Sequence, residues 1–292
     1  MKKGELFHLL LLVMTALIWG MAFVAQSLGA DHLGPITFLT ARSWLGVAVL
    51  TPLMIRTYRQ ESITKEQMLH LLKGGCACGF FLFTGSLLQQ MGIAYTTTAN
   101  AGFITALYMI IVPIIYGLSG KKIPLQIWAS VLISVFGLYL LCIRGSFQIN
   151  PGDALTLACA FMFAGQILSI NHFVKDCQPI LLSGLQFLFC AVVGTFLQFL
   201  EPKSLADFQA ALLPLLYAGI FSTGIAYTLQ IIAQKNVNPT VASLVRCLES
   251  VFSALGGWLL LNQVLSPIEL FGCALMFIAV LISQLPVKTT QV

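Results

Sequence analysis

The sequence predicts an all-α integral membrane fold, ten transmembrane helices in two inverted five-helix repeats. Three observations predict it. First, 58% of the 292 residues are hydrophobic and only 9% are charged. That is far below the roughly 25% of a soluble globular chain, too little polar surface to keep a soluble fold of this size wetted. Second, the apolar residues fall into ten stretches, each close to the ~20 residues a helix needs to cross hydrocarbon. Third, the two halves of the chain repeat one another weakly at a nearly constant offset. Ten such helices use about 200 residues and leave little for a soluble domain. The same composition excludes disorder and a collagen-like chain.

Span 1 covers residues 6–28, after Lys2 and Lys3. Its apolar run is about twice a signal-peptide core, and no small-x-small cleavage site closes it, so it reads as a helix. Span 2 (34–56) opens at Gly34-Pro35 and carries Arg42 about 12 Å below its outer end. Span 3 (69–92) holds Gly75-x-x-x-Gly79, a spacing that lets another helix approach closely. Spans 4 (97–118) and 5 (124–144) are separated by Lys121-Lys122. Turn chemistry opens the later spans: Asn150-Pro151-Gly152 before span 6 (153–172), Gln178-Pro179 before span 7 (180–200), Asn238-Pro239 before span 9 (240–261), and Ser266-Pro267 at span 10 (266–285). Span 8 covers 209–234. None alternates with a period of two, as a barrel strand would.

Basic residues orient the chain. With the N-terminus inside, Lys2, Lys3, Arg56, Arg59, Lys65, Lys121, Lys122, Lys175, Lys235 and Lys288 fall on the inner side, against Arg144 and Lys203 outside. Arg42, Lys73 and Arg246 fall within spans. This bias predicts a multi-pass protein of the cytoplasmic membrane with both termini cytoplasmic. The net charge of +5 then faces the anionic inner leaflet, and no nucleic-acid surface is needed. The eight cysteines lie almost all within spans. Cys76 and Cys78 point about 200° apart on a helix, with no second pair or His nearby, so they read as packing residues. Neither a metal nor a cofactor is expected.

The repeat carries the step from pattern to function. Pro35 and Pro179 lie 144 residues apart, and Trp19 falls on Phe163 at that offset. At an offset of 141, Leu88-Gln89 falls on Leu229-Gln230, Ser86 on Tyr227, Ala101 on Ala242, and Leu107-Tyr108 on Leu248-Glu249. The repeats span 6–144 and 153–285. A repeat with an odd number of helices starts its second copy on the other side, so the halves are inverted, the architecture of alternating-access transporters.

The residues also carry a resemblance. Ala16-Leu17-Ile18-Trp19-Gly20, Phe23, Pro35 and Ala41-Arg42 in the first half, and Gly152-Asp153 at the start of the second, are similar to EamA-type transporters. So is the run from Gly224-Ile225-Ala226-Tyr227 through Ala242-Ser243-Leu244 and Leu248-Glu249-Ser250-Val251-Phe252 to Gly257-Trp258-Leu259-Leu260-Leu261. The chain resembles the drug/metabolite transporter superfamily over essentially its whole length. The resemblance implies ten helices, a central cavity lined by spans 1, 3, 4, 6, 8 and 9, and export of small metabolites. Two departures stand out: Ser250 replaces a frequent Pro, which removes an expected kink in span 9, and Asn262-Gln263 replaces Gly-Glu in an outer loop.

Candidate substrate-binding residues follow from depth and spacing. Arg246 and Glu249, at i,i+3 in span 9, share a face, and charges at that depth point to function. Two roles stand open: Arg246 meeting a carboxylate with Glu249 taking an amino group or a proton, or an ion pair pinning span 9 to a neighbour. For Arg42 the resemblance implies a fixed contact with backbone carbonyls or a snorkel to the outer leaflet. Gln89 and Gln230 are expected on opposite walls of one cavity. Trp19, Phe23 and Gln26 share a face of span 1, with Phe163 and Gln166 on the matching turn of span 6. Tyr227 lies one turn from Gln230, and Tyr108 faces Glu249 in the repeat scheme.

The function so indicated is secondary transport of a small amphiphilic metabolite, an amino acid or relative, outward across the membrane. Its partners are that small molecule and the lipid bilayer, for a monomer or a homodimer. An integral membrane enzyme is the alternative, yet no His-Glu-x-x-His occurs and no Asp lies mid-span. A channel or scaffold is a further one, without a filter-like Thr-Val-Gly-Tyr-Gly loop. No Walker A sequence offers ATP as a direct energy source.

Overall fold

The computed structural model describes residues 3–95, 98–142, 151–201, 203–261 and 266–285. Lys2, Arg144, Asn150, Asn262-Gln263 and Lys288 lie outside these. The described chain is entirely helical. Its first three spans are the helices Lys3–Ala30, Pro35–Gln60 and Lys65–Ile93. Span 4 is divided into Thr98–Ala106 and Tyr108–Leu118, and span 5 is Leu125–Cys142. Spans 6 and 7 are Pro151–Phe173 and Pro179–Leu197, the latter closed by a 3-10 turn, Gln198–Leu200. A short helix Leu205–Ala210 leads into span 8, which runs Leu212–Leu216, then a π-helix Tyr217–Ala226, then Tyr227–Gln234. Span 9 is divided into Pro239–Arg246 and Leu248–Leu261, and span 10 is Pro267–Ser283. Spans 1 to 4 and 6 to 8 are each long and apolar enough to cross a membrane, and spans 5 and 10 are shorter apolar helices.

The prolines read as turn signals begin helices. Pro35, Pro179, Pro239 and Pro267 occupy first-turn positions, where a missing N–H costs nothing and the fixed φ suits the helix. Thr64 and Ser266 close capping boxes with Gln67 and Glu269, and Ser204 does so with Asp207. Hydrogen bonds from the Ser204 backbone and hydroxyl hold the Asp207 carboxyl below its ordinary range.

The molecule is apolar outside and partly polar within. Leu118, Leu125, Phe196 and Phe199 are among its most exposed side chains, while Gln166, Gln186, Gln230, Ser183 and Ser243 are fully buried. That inversion of the soluble pattern suits a hydrocarbon surround.

Helix pairing obeys a pseudo-twofold. Spans 2 and 7 pack on each other, as do 5 and 10, and each pair maps onto itself when the halves are exchanged. Span 3 packs on 6 as 1 packs on 8, and span 1 on 9 as 4 packs on 6. Small residues set these crossings. A Cβ at Gly75 would lie 2.6 Å from Leu185 Cβ, and one at Gly79 would lie 2.7 Å from Phe189 Cβ and 2.9 Å from Gln186 O. The predicted Gly75-x-x-x-Gly79 face is therefore the span 3–span 7 seam, with Cys78 buried and Cys76 exposed.

Besides span 8, two predicted spans are not single helices. Span 4 breaks at Leu107 and span 9 at Cys247, one residue apart after the repeat offset. The expectation that Ser250 removes the kink in span 9 is corrected: the helix breaks without a proline. Ser243 donates its hydroxyl to Thr240 O at 2.8 Å, and Cys247 its thiol to Leu244 O at 2.9 Å. The Ser250 N–H turns back to Cys247 O at 3.2 Å. Such side-chain bonds to the ladder carbonyls bend a helix.

Candidate functional site

The two helix breaks meet at the centre of the bundle. Tyr108 is the first residue and Glu249 the second of the segments that follow those breaks, and the Tyr108 hydroxyl donates to Glu249 Oε1 at 2.9 Å. Both side chains are buried. Arg246 ends the first segment of span 9. Its guanidinium carbon lies 4.5 Å from the Trp19 ring centroid and 4.8 Å from that of Tyr108, close enough for cation–π attraction from both. Yet Nε and Nη1 of Arg246 meet no hydrogen-bond acceptor in the protein, although the residue is 2% exposed. No ion pair between Arg246 and Glu249 occurs among the described residues. The break at Cys247 interrupts the regular i,i+3 geometry, and Tyr108 takes the carboxylate instead.

A cavity of about 30 Å³ opens onto this cluster. Span 1 contributes Trp19, Phe23 and Gln26, and span 9 contributes Arg246 and Glu249. Arg42, Gln89, Phe163, Ser222 and Tyr227 complete the wall. Trp19 and Tyr227 pack with ring centroids 4.5 Å apart, and Phe187 supports Tyr227 edge-on at 5.3 Å. The π-helix of span 8 offers Ser222 O to Trp19 Nε1 at 3.4 Å and Ala226 O to the Thr15 hydroxyl at 3.2 Å. Gly20 brings span 1 hard against Phe252 and Ser253 of span 9, so ring and guanidinium are held by backbone-level packing. The cavity as it stands has room for a water or two. A metabolite fits only when the helices part.

Of the nine sequence-predicted residues, Trp19, Gln26, Gln89, Tyr227, Arg246 and Glu249 line this cavity. Tyr108 stands behind Glu249. Gln166 and Gln230 lie elsewhere, in a buried amide chain. Gln230 Nε2 donates to Gln166 Oε1 at 3.3 Å and to Gln234 Oε1 at 2.7 Å, and Gln166 Nε2 donates to Gln186 Oε1 at 3.4 Å. Gln89 and Gln230 therefore do not face each other across one cavity: Gln89 bonds Thr105 Oγ1 at 3.2 Å, and Gln234 holds Gln230 away. Arg42 does not snorkel. It is buried, lines the cavity, and donates from Nη1 to Gln26 Oε1 at 3.4 Å. Sequence reasoning missed Ser222, whose role is a carbonyl freed by an irregular helix that no residue pattern announced. A second cavity of about 230 Å³, whose lining includes Glu61, Lys175, Asp176 and Lys235, shares no lining residue with the first.

Inverted halves, broken helices meeting at the centre, and a polar pocket between them define a class: multi-pass membrane transporters built on inverted repeats. Within it, the EamA-like transporter family model matches residues 6–143 and again 150–285, and the chain belongs to that family. It is 31% identical over 278 residues to an uncharacterized transporter of Archaeoglobus fulgidus, covering 94% of this chain and 85% of that one. It is 26% identical over 288 residues to the uncharacterized transporter YwfM of Bacillus subtilis, covering 96% and 94%. A crystal structure of another protein, 19% identical, shares the fold with a TM-score of 0.77 over 95% of this chain and 96% of its own. The chain is a transporter-family protein and not an enzyme.

Proposed function

We propose that the protein is a secondary transporter that moves a small amphiphilic metabolite, an amino acid or close relative, outward across the cytoplasmic membrane by alternating access. The observation that carries this reading is Arg246: a buried guanidinium with Nε and Nη1 unpartnered, facing a cavity at the junction of the two halves. A buried charged donor left unpaired costs several kcal/mol, and a substrate carboxylate that accepts a charge-assisted hydrogen bond from the guanidinium offsets that cost. Glu249 stands three residues on, with an ammonium group or a proton as its counterpart. Trp19, Phe23, Phe163 and Tyr227 provide apolar walls for the rest of the molecule. Both termini are read as cytoplasmic from the basic-residue bias, and the partners are the small molecule and the lipid.

Expression in cells challenged with toxic amino acids and their analogues tests this reading. Rescue from one compound names the substrate class, and Arg246→Ala should abolish rescue while the protein still reaches the membrane. No rescue and no change in efflux for any compound would remove export of this class. Glu249→Gln addresses coupling: if protons travel through Glu249, transport by this variant loses its pH dependence. Full pH dependence in Glu249→Gln ends that idea.

A further inference from the structure

The cavity wall carries more positive than negative charge. Among the described residues it holds two guanidinium groups, Arg42 and Arg246, and one carboxylate, Glu249. With Glu249 ionised the surplus is one positive charge, and with Glu249 protonated it is two. All three are buried, with 6%, 2% and 5% exposure, so bulk water screens them little.

The repeat supplies a control for Arg42. At the offset of 144 that pairs Trp19 with Phe163, Arg42 of span 2 falls on Gln186 of span 7. Both sit where spans 2 and 7 pack, and both meet the amide oxygen or nitrogen of a glutamine on the neighbouring helix. Arg42 Nη1 donates to Gln26 Oε1 at 3.4 Å, and Gln186 Oε1 accepts from Gln166 Nε2 at 3.4 Å. In the second half a neutral amide serves this packing position. The charge of Arg42 is therefore surplus to the helix contact, and it faces the cavity.

We propose that the transported species carries a net charge of −1: an acidic amino acid, or a carboxylate without an ammonium group. This rests on the transporter reading above and narrows its substrate class. A monocarboxylate bridges the two guanidinium groups. An acidic amino acid adds an ammonium for Glu249 and a second carboxylate for Arg42. A neutral zwitterion satisfies Arg246 and Glu249 but leaves Arg42 without a counter-charge.

The test uses two pairs of probes of nearly equal size that differ by one unit of charge, L-glutamate with L-glutamine and L-phenyllactate with L-phenylalanine. Each is titrated against thermal unfolding of the purified full-length protein in detergent and used as counterflow substrate in proteoliposomes. The anion of at least one pair is expected to bind about tenfold or more tightly than its neutral partner, the effect of one charge-assisted contact. Arg42→Gln, which copies the residue already tolerated at the matching position, should bring the two members of that pair to about equal affinity. Arg42→Lys should keep part of the preference. Neutral members that bind as well as their anions in both pairs, no binding by any probe, or a preference unchanged in Arg42→Gln overturns the anionic assignment. If neutral probes still exchange, the transporter reading stands without it; if no probe exchanges and the rescue screen also finds no exported compound, that reading fails as well.

Discussion

Arg246, Glu249 and Tyr108 form the smallest unit on which the function rests. The Tyr108 hydroxyl satisfies one oxygen of Glu249, and its ring lies under the Arg246 guanidinium. One side chain thus orders both charges without joining them. Tyr108→Phe keeps the ring and removes the hydroxyl, and a hydrogen bond to a charged group contributes ~1.5–3 kcal/mol. The exchange rate should fall about tenfold or more while the thermal midpoint changes little beyond that contribution. Tyr108→Ala should lower both further, by removing the cation–π contact. Proteoliposome exchange and unfolding of each variant check this, and a Phe variant with unaltered exchange would separate Tyr108 from function. The Tyr108–Glu249 pairing was legible in the chain, because the 141-residue offset places the two at equivalent points. The lone guanidinium N–H groups were not. An i,i+3 spacing suggests an ion pair until the helix break at Cys247 is seen, and that break has no Pro or Gly to announce it.

Elements are positioned by small residues and by irregularity. Glycines let spans 3 and 7 meet at backbone distance, so overpacking there should be costly. Gly79→Leu is expected to destabilise the protein by ~1–3 kcal/mol, read as a lower unfolding midpoint in detergent. Cys76→Leu, on the exposed face of the same helix, should leave the midpoint unchanged. Equal effects of the two would contradict the seam. Helix existence and order were readable from apolar length, and the starts of spans 2, 7, 9 and 10 from proline at the first turn; span 3 begins at Lys65, four residues before the apolar stretch, behind the Thr64 cap. The π-helix Tyr217–Ala226 was not, since Gly219, Ser222, Thr223 and Gly224 are common in any membrane span. Its wide turn nonetheless frees the carbonyls that hold Trp19 and Thr15. Gln230 shows the same limit. Its repeat partner Gln89 reaches the cavity, while Gln234, one turn away in sequence, holds Gln230 in the amide chain. Sequence spacing gave the turn but not which of two neighbours a side chain chooses.

At the scale of the whole molecule, five-helix halves related by a pseudo-twofold meet around a cavity too small for a metabolite. Under the alternating access proposed above, the halves part on one side and then the other. The orientation is open to labelling. With an impermeant thiol reagent, Lys203→Cys should react on intact cells and Lys121→Cys only after permeabilisation; the reverse pattern would turn the molecule over. Counterflow tests the transport cycle itself. Proteoliposomes loaded with an excess of unlabelled substrate should take up external label to a transient overshoot, and Arg246→Ala should abolish it. An ohmic leak without overshoot, or uptake unaffected by Arg246→Ala, would contradict alternating access through this cavity.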